Sequence, residues 1–158
     1  MKIKGLIECD IVNCKTPCMT IEMPICKNFK CDKECGKPVC QNSSLASAKN
    51  IDIPINTIME MYKKNPITQA LCFQGLEPFD TWDDLLECIT SFRTFTNDSI
   101  VIYTGYNKNE IPHYIKTLQQ YPNIIVKFGR YIPNHNTKYE PLLGVRLASD
   151  NQYAEQIS

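Results

Sequence analysis

Four short apolar runs, three of them alternating with helix-like stretches, restrict this chain to very few architectures. Ala70-Leu71-Cys72-Phe73-Gln74 is almost continuously apolar, as expected of a strand covered on both faces. Ile100-Val101-Ile102-Tyr103 and Ile124-Ile125-Val126-Lys127-Phe128 repeat the theme, and Met19 to Met23 alternates with period two until Pro24. Between these runs, Pro54 opens a helix with Ile55, Ile58, Met59 and Tyr62 on one face, stopping before Asn65-Pro66. Asp80 or Thr81 caps a second helix, with Asp83 and Asp84 in its first turn and Leu85, Leu86, Ile89 and Phe92 spaced for burial. A third begins at Asn109 or Glu110 and carries Tyr114, Ile115 and Leu118. Ile3 to Glu8 and Leu143 to Leu147 read as further strands. Such alternation predicts right-handed βαβ units around a parallel sheet, an α/β fold.

Ligands of parallel sheets collect where the strands end. Every unusual polar segment falls at such an end: a cysteine-rich loop at 24–42, Gly75-Leu76-Glu77-Pro78, Thr104-Gly105-Tyr106 and Gly129-Arg130. The loop carries Cys26, Cys31, Cys35 and Cys40 among lysines, with Gly36 and Pro38 to turn the backbone. Soft thiolates at this density select zinc, copper(I) or an iron–sulfur cluster. Four sulfurs on one ion would make a closed structural site, whereas three on a 4Fe-4S cube leave one iron open to a ligand.

With 158 residues the chain suits one domain, 1–158, with a core of its own. Lys and Arg number 17 and so do Asp and Glu, with no basic stripe, which argues against nucleic acid as a partner. No leader-like or membrane-length apolar stretch is present, so the expected location is cytoplasmic, with no membrane association. Nine cysteines, an odd count, fit metal or redox chemistry better than a disulfide framework there. Cys9, Cys14 and Cys18 can be read as ligands by spacing, but lacking a supporting pattern they read first as small packed residues; Cys88 reads as core. His113 and His135 have no partner for a nucleophile–base pair, and Asp83 with Asp84 is explained by its place in a helix's first turn. No side chain is assigned as catalytic.

These segments together resemble the radical S-adenosylmethionine enzymes, and among them the small activating enzymes of anaerobic ribonucleoside-triphosphate reductases. The family's three cysteines follow the first barrel strand, and Cys26, Cys31 and Cys40-Gln41-Asn42 fit them best, with Cys31, Cys35 and Cys40 as the other trio and Cys35 as a reserve ligand. The chain departs from the family by one extra residue between Cys26 and Cys31 and by an insertion carrying Cys35. Gly75-Leu76-Glu77-Pro78 is similar to a Gly-Gly-Glu-Pro segment along the methionine part of the cofactor, with Leu76 in place of the second Gly. Tyr103-Thr104-Gly105-Tyr106, Phe128-Gly129-Arg130-Tyr131 and Ala148-Ser149-Asp150-Asn151-Gln152 match later motifs of the activases.

The resemblance implies a truncated, open (βα) partial barrel, a 4Fe-4S cluster on Cys26, Cys31 and Cys40, and S-adenosyl-L-methionine bound near Gly75, Leu76, Glu77 and Thr104. Lys127 reads either as a snorkelling edge residue or as a partner of the cofactor carboxylate. The implied activity is that of a radical oxidoreductase that cleaves the cofactor reductively and installs a glycyl radical on the reductase, fed by an electron donor such as flavodoxin or ferredoxin. Two alternatives stand beside it: another radical enzyme acting on a peptide or small molecule, and a non-enzymatic four-cysteine zinc or iron–sulfur module.

Overall fold

The apolar runs lie side by side at the centre of one six-stranded sheet. In the computed structural model, which describes residues 1–158, the strands are β1 (Lys2–Ile3), β2 (Gly5–Asp10), β3 (Cys18–Met23), β4 (Ile51–Asp52), β5 (Ala70–Gly75), β6 (Ser99–Tyr103), β7 (Ile124–Phe128), β8 (Lys138–Glu140), β9 (Val145–Leu147) and β10 (Tyr153–Gln156). The helices are α1 (Lys30–Cys35), α2 (Ser43–Ser47), α3 (Ile55–Lys64), α4 (Trp82–Arg93) and α5 (Pro112–Leu118). The sheet order is β10-β7-β6-β5-β3-β2; the four central strands are parallel and stand in chain order.

The sheet is mixed rather than wholly parallel, because β2 and β10 are antiparallel edges, and it does not close into a barrel. The expected strand at Ile3 to Glu8 is broken at Lys4. Its first part, β1, pairs with β4, and the Lys4 ammonium donates to the carbonyls of Ala46 and Ala48. The third helix begins later than expected: Asn107 and Glu110 close a capping box around a 3₁₀ turn, and Pro112 then opens α5.

One face of the sheet carries the main core. Met19, Ile21, Leu71, Phe73, Ile100, Ile102, Val126 and Phe128 point there, against Ile58 and Tyr62 of α3, Leu85, Ile89 and Phe92 of α4, and Ile115 and Leu118 of α5. Each such side chain stabilises the fold by roughly 1.5–3 kcal/mol. Cys88 is fully buried in the same core. Tyr62 meets Phe92 edge-on at 4.7 Å and satisfies its hydroxyl on Asp98 at 2.8 Å.

On the opposite face Cys14, Cys18, Ala70, Cys72, Val101, Leu143 and Leu147 form a smaller apolar floor. The segment after β2 and the β8–β9 hairpin supply its cover, and Glu140 ties that hairpin to β10 by accepting from the Ala154 amide at 3.1 Å. No helix is long and apolar enough to cross a membrane.

Candidate functional site

At the C-terminal ends of the parallel strands, above this floor, lies a cavity of about 560 Å³. Cys26, Cys31, Cys40, Gly75, Leu76, Glu77, Thr104 and Lys127 all line it, so the structure gathers these eight from four separate loops and strands. Cys35, at the end of α1, is not among the lining residues. The segment expected as a plain loop thus contains a helical turn, with Phe29 in a left-handed conformation before it and Gly36 after it.

Polar contacts hold this segment over the sheet. Asp80 accepts from the Lys27 amide at 2.7 Å and lies 3.5 Å from the Lys30 ammonium, which also sits 3.8 Å above the Tyr106 ring. Burial alone would lower the Lys30 pKa, but Tyr106, Asp80 and Glu77 more than reverse that effect. Arg130, just past β7, pairs with Glu110 through two bonds of 2.8 and 2.7 Å and comes within 3.5 Å of Glu34 in α1. The Asn42 side-chain Nδ2 donates to the Gly75 carbonyl at 2.5 Å, and the Glu77 backbone amide donates to the Ile25 carbonyl at 2.9 Å. The cysteine segment is therefore fixed to the ends of β5, β6 and β7.

Glu77 turns its carboxylate into the protein. It accepts from the Thr104 hydroxyl at 2.7 Å, the Gly105 amide at 2.9 Å and the Phe79 amide at 3.2 Å. Burial nevertheless pushes its pKa up to about 7. Thr104 also accepts from the Tyr106 amide at 3.0 Å, so its hydroxyl is engaged on both sides. These two side chains join neighbouring loops. Gly75 has φ +83°, and a Cβ there would stand 2.9 Å from Leu45 Cδ2.

Lys127 lines the cavity together with two other cationic residues, Lys30 and Arg146. Its strand lies between β6 and β10, so it is not an edge residue. It is buried and donates to the Gly129 carbonyl at 3.0 Å. Burial lowers its pKa to about 8, against the opposing influence of Cys31 and Glu77. The same Gly129 carbonyl accepts from Gln152 at 3.2 Å, and Asn151 donates to the Arg130 carbonyl at 2.9 Å, bringing the Ser149-Asp150-Asn151-Gln152 tail against Gly129-Arg130. Lys30 and Gln152 also line the cavity, and Asp80 and Arg130 anchor the cysteine segment beside it; of these the sequence pointed to Arg130 and Gln152 only as members of motifs, and to Lys30 and Asp80 not at all as site residues.

Burial pushes the thiols of Cys31 and Cys40 up. Cys31 is raised further by Cys40 and Cys26 and lowered by Lys127, so these thiols share one electrostatic neighbourhood. They do not form a tight trio. The one set of three potential ligand atoms within 4.8 Å of one another is Cys14, Cys18 and Cys72, in the floor. There the neighbouring Cys14 thiol holds the Cys18 thiol below its ordinary range, while burial raises Cys72.

Comparison with models of known protein families, with curated proteins and with solved structures finds no match to this chain.

Proposed function

We propose that the chain is a radical S-adenosylmethionine enzyme, an activase for the glycyl-radical subunit of an anaerobic ribonucleoside-triphosphate reductase. No family match accompanies this reading. The observation that carries it is the meeting of Cys26, Cys31, Cys40, Lys127 and the Gly75-Leu76-Glu77 turn in a single cavity at the parallel strand ends. At about 560 Å³ that cavity has the size of a small-molecule site.

The layout supports an open partial barrel as well. Right-handed crossovers that always step the same way along a sheet leave their helices on one side. Here β3, β5, β6 and β7 follow chain order, α3, α4 and α5 share one face, and the other face bears the cavity and its floor. A doubly wound sheet would place helices on both faces.

The donor set fits an iron–sulfur cluster better than a closed zinc site. Sulfurs around one zinc ion at about 2.3 Å stand roughly 4 Å apart, a spacing that no three of the loop cysteines reach, and Cys35 lies off the cavity. In this reading Cys26, Cys31 and Cys40 hold a 4Fe-4S cluster. When bound, such a cluster would supply the electron for reductive cleavage of the cofactor's carbon–sulfur bond, drawn from a donor such as flavodoxin or ferredoxin. Lys127 meets the carboxylate of S-adenosylmethionine, and the Gly75 and Leu76 backbone borders its methionine end. Glu77 and Thr104 keep that turn in place. The wall of Tyr103, Val145 and Leu147 excludes water from the reacting centre.

The test is anaerobic reconstitution with iron and sulfide, reduction with dithionite, and electron paramagnetic resonance with and without S-adenosylmethionine. A reduced-cluster signal that changes on addition, with release of 5'-deoxyadenosine, is expected. A colourless zinc protein, or a cluster indifferent to the cofactor, rejects the reading. Appearance of a radical on the reductase glycine then decides the partner.

A further inference from the structure

Cys14, Cys18 and Cys72 come from three places in the chain: the turn after β2, the first residue of β3 and the middle of β5. The register explains the meeting of two of them. Cys18 is opposite Ala70 and Thr20 opposite Cys72 in the parallel pair, so Cys18 and Cys72 are diagonal neighbours on the same face. Cys14 closes the set from above, and all three sulfurs lie within 4.8 Å of one another.

Three sulfurs bound to one ion at about 2.3 Å are roughly 4 Å apart. The observed set needs to contract by less than an ångström. The apolar walls are Ala70, Val101, Leu143 and Leu147, with Tyr103 packed against them. One polar path leaves the trio: the Cys18 sulfur is 3.5 Å from the Thr20 hydroxyl, which donates to Asp10 at 2.8 Å. Asp10 is itself held by the Val12 and Asn13 amides and the Asn13 side chain. Leu147 belongs both to this floor and to the lining of the cavity above, and Cys14, the least buried thiol of the three, gives the way in.

We propose that Cys14, Cys18 and Cys72 form a second metal site, which binds a single thiophilic d¹⁰ cation, copper(I) or zinc(II), beneath the main cavity. The site takes a soft ion because all its donors are sulfur. Its thiol protons leave on binding, so affinity rises with pH. Once the Cys18 proton leaves, the Thr20 hydroxyl turns its own proton from Asp10, which keeps the Val12 and Asn13 donors, to the Cys18 thiolate at 3.5 Å, and so orients that ligand as outer groups orient metal ligands generally. The assignment does not depend on the cluster proposed for the loop cysteines.

The loop thiols would mask the site, so the test uses the full chain with Cys26, Cys31, Cys35 and Cys40 all changed to Ser. Copper(I) is titrated anaerobically against a chromophoric chelator, and zinc in a separate arm. One equivalent of either metal is expected, with sulfur-only coordination by X-ray absorption for copper(I), and a fourth, lighter ligand if zinc is the occupant. Adding Cys72→Ser, or separately Cys14→Ser, should weaken binding by more than about 100-fold, and Thr20→Val by roughly 10- to 100-fold. Exposed Cys9 is the control, and Cys9→Ser should change nothing. Far-UV circular dichroism identifies folded variants, and only these are compared. The proposal is overturned by a folded loop variant that binds neither metal stoichiometrically, by binding indifferent to both Cys72→Ser and Cys14→Ser, or by oxidation of the trio to a disulfide in place of uptake.

Discussion

The Thr104 hydroxyl donates to the Glu77 carboxylate at 2.7 Å, joining the loop after β6 to the loop after β5 inside the protein. The glutamate that borders the cavity is thus first a brace between two strand ends. Its chemistry can be read through stability as well as through activity.

Burial lifts Glu77 from the usual 4.5 to about 7, against the bonds from Thr104 and Gly105. The folded chain therefore holds this proton more tightly than the unfolded chain. Its contribution is complete below about 4.5 and is lost as pH rises through about 7. Thermal unfolding at pH 5 and at pH 8 should show a smaller drop in Tm for Glu77→Gln than for the natural chain. An equal drop in both would remove Glu77 from the account.

Lys127 has the opposite sign. Burial depresses it from 10.5 to about 8, so its contribution to stability is present above 10.5 and is lost as pH falls through about 8. At neutral pH the buried ammonium costs stability, while Gly129 retains Gln152 as a donor if Lys127 is removed. Lys127→Met should raise Tm at pH 7, by roughly 2–4 °C per kcal/mol recovered. The same variant should bind S-adenosylmethionine about 10- to 100-fold more weakly, the worth of one bond to a charged group. Calorimetry of unfolding and of binding measures both; unchanged affinity would exclude Lys127 from the ligand's contacts.

Cys35 and Cys31 separate cleanly as variants. Cys31→Ser, Cys26→Ser and Cys40→Ser should each lose the reconstituted cluster, while Cys35→Ser keeps its iron content and its spectrum. Iron and sulfide analysis decides. Loss of the cluster in Cys35→Ser alone would move the ligand set into the insertion.

Gly75→Ala should cost about 1–3 kcal/mol, the usual range for a left-handed backbone forced on a side chain. The new Cβ would meet Leu45 Cδ2 at 2.9 Å and Glu22 Cβ at 3.2 Å, so the Leu45 side chain must also shift. Urea denaturation reads the loss directly, and an unmoved midpoint would mean that the turn relaxes freely.

The parts of the fold that the sequence reveals are those held by local pattern. The runs around Leu71, Val101 and Val126 are short and apolar, the latter two rich in β-branched residues, and α3 and α4 repeat apolar residues at helical spacing, so their type follows from neighbours in the chain. Residues of β10 alternate weakly and are half-exposed, and nothing between Tyr153 and Gln156 announces an antiparallel edge. The cavity residues were legible because they follow strand ends. Cys72 was not legible as a companion of Cys14 and Cys18, since it sits in a run that reads as core and only the β3–β5 register brings it to them. Asp80 likewise reads as a helix cap; its bond to the Lys27 amide spans 53 residues.

A single carboxylate oxygen, Asp32 Oδ1, receives the amides of Val39 and Cys40 at 2.7 Å each, and the Asp32 carbonyl receives the amide of Lys37 at 3.2 Å. The residues from 33 to 38 thus close on the Asp32 clasp, with only the exposed Glu34 reaching out of the loop, to Arg130 at 3.5 Å. Such an appendix behaves as an exchangeable cassette: doubling its length costs only about 0.6 kcal/mol in closure entropy. Length variation between these two cysteines is cheap as long as the aspartate is kept, so the spacing of ligands along a chain is a weaker guide to their arrangement in space than the residue that ties the loop's neck.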